Sequence, residues 1–154
     1  MVERNRVFTE SQESLLKDVI NRVVPAEDAF PGAGDLGVAS YIDRVVGESA
    51  RLRKLFLAGL AHIEITASRE QGKEFGDLSG EEKDQMLRQV EREQPEFFSA
   101  LVQHTYNGYY TNPAIFPLIR YEGRPPQPQG YRVRPFDPSL LDNVRKRGSL
   151  YRQV

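Results

Sequence analysis

The stretch "TESQESLLKDVINRVVP", residues 9–25, decides the fold class. Thr9 and Gln12 form a capping box: the threonine hydroxyl accepts from an orphan backbone N–H of the first turn, and the glutamine reaches back to the capping residue. Leu15, Leu16, Val19, Ile20, Val23 and Val24 then recur at helical spacing until Pro25, which cannot continue the helix. The same grammar repeats downstream. After a loop, "AEDAFPGAGDLG", a short helix is expected with Val38, Tyr41, Ile42, Val45 and Val46 on one face, broken by Gly47. A longer helix from about Ala50 to Gln71 buries Leu52, Leu55, Phe56, Leu60, Ile63 and Ala67, with Gly59 placed to allow a close helix crossing.

Ser79 and Glu82 form a second capping box ahead of Met86, Leu87 and Val90. Pro95 opens the last long helix at the position where its missing N–H is not needed. Its expected inner face is Phe97, Phe98, Leu101, Val102 and Thr105, and it runs to about Tyr110. The reading is all-α: a small bundle of about five helices over 1–112, followed by an extended Pro-rich basic arm over 113–154. Seven of the ten prolines lie between Pro113 and Pro138, and "RPPQPQG" favours polyproline II over a helix or a sheet ladder. Ile115, Phe116, Leu118, Ile119, Tyr121, Tyr131, Phe136, Leu140 and Leu141 make the arm too apolar for a free linker, so it needs a surface to lie on. A short strand over "YRVRPF", 131–136, is the only β signal.

The net charge of −1 conceals a division. From Arg120 onward there are eight Lys/Arg against three acids, +5, while the preceding residues carry 13 basic and 19 acidic side chains, −6. The arm therefore suits its own acidic body or an acidic partner. A nucleic-acid-binding domain usually has its basic stripe on the folded part, which here is acidic. The 154 residues suffice for one core. No apolar run approaches the ~20 residues of a membrane span. "MVERNRVFTE" has no apolar core of a secretory signal, so the expected location is cytoplasmic, or periplasmic if a signal-bearing partner exports both chains.

Catalytic chemistry is scarce. With no cysteine there is no thiol nucleophile, disulfide or iron–sulfur ligation. The two histidines, His62 and His104, lack the E-x-x-H and H-E-x-x-H spacings of metal sites. No serine sits in G-x-S-x-G, and "PGAGDLG" does not match a dinucleotide fingerprint. What stands out is "VQHTYNGYYTNP", 102–113, where His104, Tyr106, Asn107, Tyr109, Tyr110 and Asn112 crowd the end of a helix. Tyrosine is favoured where one side is dry and the other wet. These residues, with Phe116, Tyr121, Tyr131 and Phe136 of the arm, are the candidates for a partner interface. His104 and Asn107 are expected to brace the turn, and Tyr109 and Tyr110 to face a neighbour. A small stand-alone enzyme built on His104, Tyr106 and Asn107, or a basic-tailed nucleic-acid binder, is the alternative. No catalytic, cofactor-binding or metal residue is assigned.

The order of these pieces resembles the gluconate 2-dehydrogenase subunit 3 family from about Phe8 to Pro113. The marks are Pro25 with Asp28, Pro31–Gly32–Ala33, Gly37–Val38, Ile42–Asp43, and His104, Thr105, Gly108, Tyr109, Tyr110 and Pro113. The resemblance implies a non-catalytic small subunit beside a large FAD-binding dehydrogenase of the glucose–methanol–choline type, often with a multihaem cytochrome c subunit. It implies a role in assembly, folding and export of the large subunit. The FAD belongs to that partner. A twin-arginine signal, common in the family, does not occur in this sequence, and the long tail is similar to a subgroup found beside flavin oxidoreductases. The arm is also a route to self-association between copies.

Overall fold

The computed structural model describes residues 6–122, 130 and 135–147. Five α-helices form the first unit, which extends through Glu122: α1 (Glu10–Val23), α2 (Val38–Gly47), α3 (Ala50–Gln71), α4 (Gly80–Glu93) and α5 (Pro95–Tyr110). Both capping boxes are present, with Thr9 accepting from the Gln12 N–H and Ser79 from the Glu82 N–H, while Gln12 and Glu82 accept from the capping backbone in return. Pro95 opens α5 at its first turn, as its fixed φ allows.

The helices pack substantially on one another in every pairing except α2 with α4. Leu16, Val19 and Ile20 of α1, Ile42 and Val46 of α2, Phe56, Leu60 and Ile63 of α3, Val90 of α4 and Leu101 of α5 are fully buried. Phe56 meets Phe97 edge-on at 5.5 Å and 84°, the geometry favoured by the aromatic quadrupole. Gly59 makes the α3–α5 crossing possible, because a Cβ there would fall on the Phe97 ring. The close approach expected of this glycine is therefore real, and it lies at the centre of the core.

Two expectations need correction. The compact unit does not stop at Asn112: Pro113 to Glu122 fold back in successive turns, with Ile115 completely buried and Leu118 packed against the core. Ile115 needs a dry site and finds it on the bundle. The second unit, from Gly123 on, is not purely extended where it is described. Asp137 caps a 3-10 turn, Pro138–Leu141, that runs into a short helix, α6 (Asp142–Lys146). Asp-Pro is a helix start, with aspartate as cap and proline in the first turn, and the surrounding prolines hide it. Tyr131 and most of the expected strand over 131–136 lie outside the described residues.

Candidate partner interface

The end of α5 is built with an inside and an outside. On the inside, Thr105 is fully buried and satisfies its hydroxyl by donating to the Leu101 carbonyl four residues back, 2.7 Å. Gly108 lets α2 come close: a Cβ there would lie 2.7 Å from a ring carbon of Tyr41 and 2.9 Å from Val38. Tyr109 is only 2% exposed, and its hydroxyl donates to the Pro31 carbonyl at 2.9 Å. Burial, and after it the neighbouring Tyr110, raises its pKa, so it stays a neutral donor.

The expectation that Tyr109 faces a neighbour is thus wrong. Its ring is a core side chain, and its hydroxyl holds the loop between α1 and α2. Asn112 does the same work one turn later, donating to the Leu36 carbonyl at 3.0 Å and accepting from the Ala114 N–H at 3.0 Å. The other side of that loop is held by α1, where Asn21 accepts from the Gly34 N–H at 2.7 Å. Asp43 of α2 accepts from both Val7 and Phe8 N–H groups at 3.0 Å, fixing the segment that leads into α1.

His104 is half-buried against Phe56, ring centroids 6.2 Å apart. Burial lowers its pKa, which favours the neutral imidazole, and its Nδ1 is buried with no hydrogen-bond partner among the described residues. It therefore braces the core by shape. Asn107 contributes its carbonyl, which accepts from the Thr111 hydroxyl at 2.5 Å, while its side chain is exposed.

Tyr106 and Tyr110 form the outside, 44% and 50% exposed, with their rings 6.0 Å apart. Tyr110 also stands edge-on to Tyr109 at 5.2 Å, so the exposed pair is propped by a buried ring. Phe98 and Val102, expected in the core, are only half-buried, and they continue this row at four-residue spacing. Together with Val23 of α1 and Leu87 of α4 they floor a shallow groove. Beside it Arg22 donates to Asp84 through two bonds, 2.7 and 2.8 Å. The bond from Arg22 lowers the Asp84 pKa, and the bond to Asp84 raises that of Arg22, so the pair stays charged and mutually neutralised. Phe116 and Tyr121 form a second aromatic pair, edge-on at 5.0 Å, with Tyr121 41% exposed.

The candidate residues are therefore sorted, not gathered. Tyr106 and His104 lie two positions apart on α5, about 200° around its axis, and they line different grooves. His104, Tyr106 and Asn107 do not converge on one point. Among the described residues no group of three or more His, Asp or Glu side chains is placed to hold a metal. No described helix is long and apolar enough to cross a membrane. Sequence reasoning singled out Tyr106 and Tyr110 but missed that Phe98 and Val102 continue their row, whose four-residue period is its signal.

A family model described as gluconate 2-dehydrogenase subunit 3 matches residues 10–123, nearly the whole helical unit. The chain belongs to the gluconate 2-dehydrogenase subunit 3 family. No curated protein and no solved structure matches it. The family's name is that of a dehydrogenase subunit, and in this member of it the residues that carry the likeness are mostly architectural. Pro31 accepts from Tyr109, Asp43 holds Val7 and Phe8, Gly108 seats Tyr41, and Ile42 is buried. Tyr110 is also a mark of the likeness, and it stays exposed.

Proposed function

We propose that this chain is a non-catalytic accessory subunit that binds the large FAD-dependent sugar or alcohol dehydrogenase of its complex and supports its assembly or stability. The flavin and the redox chemistry belong to the partner, which is of the glucose–methanol–choline type, and a cytochrome c subunit completes the complex in related systems. The observation that carries this reading is the row of half-buried and exposed apolar side chains on α5, ending in Tyr106 and Tyr110. Such rings bring large contact area at low entropic cost, which makes tyrosine an anchor residue of interfaces. Membership of a dehydrogenase-subunit family supports the identity of the neighbour.

The test is co-expression with a large FAD-dependent dehydrogenase subunit of the glucose–methanol–choline type, followed by size-exclusion chromatography. Co-elution with flavin absorbance is the expected result, together with a higher soluble yield of the flavoprotein. A monomer that never associates with it, under conditions where both are folded, would sink the proposal.

A further inference from the structure

The C-terminal unit contains a short element with no core of its own. Phe136, Leu140 and Leu141 are 66%, 71% and 39% exposed, all within a single turn and its lead-in. The backbone that presents them is fixed. Asp137 accepts from the Ser139 N–H at 3.0 Å, and its carbonyl accepts from the Leu140 N–H at 3.2 Å. An element this short cannot bury such side chains within itself, and a held turn loses little freedom when it docks. Immediately after it, Arg145, Lys146 and Arg147 are exposed. Only Arg145 has an acidic neighbour among the described residues, Asp142 at 3.8 Å. From Gly123 to the end the sequence carries seven basic and two acidic side chains, +5.

We propose that Phe136, Leu140 and Leu141 form a docking element that enters an apolar slot rimmed by aspartate and glutamate on the large dehydrogenase subunit, with Arg145, Lys146 and Arg147 set against the rim. The apolar trio supplies anchoring area, and the cations supply orientation and a fast, salt-sensitive encounter. Phosphate backbones would use the cations and leave the trio unemployed. Amphipathic segments that lie on anionic membranes present a longer apolar face than one turn and a five-residue helix. An acidic, grooved protein surface uses both halves of the element. This inference rests on the accessory-subunit reading above.

The experiment measures the Kd of the full chain for the purified large subunit, at about 50 mM and about 300 mM NaCl. Three forms are compared: the unaltered chain, F136A/L140A/L141A, and R145Q/K146Q/R147Q. Circular dichroism and a thermal melt of each confirm that the helical unit is unchanged, as expected for exposed positions. The expected result is Kd weakened at least about tenfold by the apolar triple substitution. The charge substitution should weaken it less and flatten its salt dependence. Full affinity in both variants overturns the docking element while leaving the accessory-subunit reading intact. No complex with the unaltered chain overturns both. Binding to vesicles of phosphatidylcholine with phosphatidylserine, lost in both variants while the protein complex is untouched, overturns the inference in favour of a membrane surface.

Discussion

Tyr109 and Tyr110 are adjacent in sequence and in ring contact, yet one is 2% exposed and the other 50%. The inward face of α5 (Thr105, Gly108, Tyr109) is saturated with contacts inside the chain. The outward face (Phe98, Val102, Tyr106, Tyr110) is not. Tyrosine occurs on both faces, so that residue type alone does not separate structure from interface. The separation comes from which direction α2 and the loop after α1 occupy. One helix end thus closes the fold with one tyrosine and offers a surface with the next.

Substitutions can break or sharpen that contrast. Tyr109→Ala should have the largest effect, destabilising the fold by about 3–5 kcal/mol as for other buried aromatics, read as a fall in denaturation midpoint. Tyr109→Phe should cost about 1 kcal/mol, the net value of the bond to Pro31. Gly108→Val comes next, at about 1–3 kcal/mol, because the new side chain must displace Tyr41 or Val38.

Tyr106→Ala and Tyr110→Ala should change folding stability by no more than about 0.5 kcal/mol. Each should nevertheless weaken the complex with the large subunit by about 1–2 kcal/mol, measured by titration calorimetry. If they unfold the chain instead, the outward face is core and the contrast collapses. His104 gives the smallest effect. Its folded pKa lies below the ordinary value of about 6.5, so below that pH the unfolded chain takes up a proton that the folded chain resists. The stability it contributes is therefore complete above about pH 6.5 and is lost as pH falls through the folded value. A plot of melting temperature against pH over this range should be flatter for His104→Phe. The two profiles coinciding would show that another group sets the acid limb.

The legible features were local ones. Capping boxes, a proline at the first helical position and apolar periodicity each involve residues within a turn or two of one another. That is why Thr9 with Gln12, Ser79 with Glu82, and the span of α3 could be read directly. Gly59 was legible as a crossing point because a glycine inside a strong helix calls for a packing reason. The inside and outside of α5 were not legible. Phe98 and Val102 are apolar like Phe97 and Leu101, and nothing local distinguishes the half-buried pair from the buried one. Asn21, Asp43 and Asn112 act on backbone groups far away in sequence, for which no local pattern exists. In the tail, abundant proline outweighed the single Asp-Pro pair that starts a helix.

The bonds from Tyr109 to Pro31 and from Asn112 to Leu36 span 78 and 76 positions of the chain. They join the loop after the first helix to the end of the fifth, so the loop waits unanchored on that side until nearly the whole unit has left the ribosome. Closing so long a loop is entropically costly and is repaid only late. During synthesis the early helices must therefore persist as an incomplete assembly with apolar surface showing, the state in which chains aggregate or meet chaperones. The clasp that holds this loop is thus among the later contacts of the helical unit to become possible.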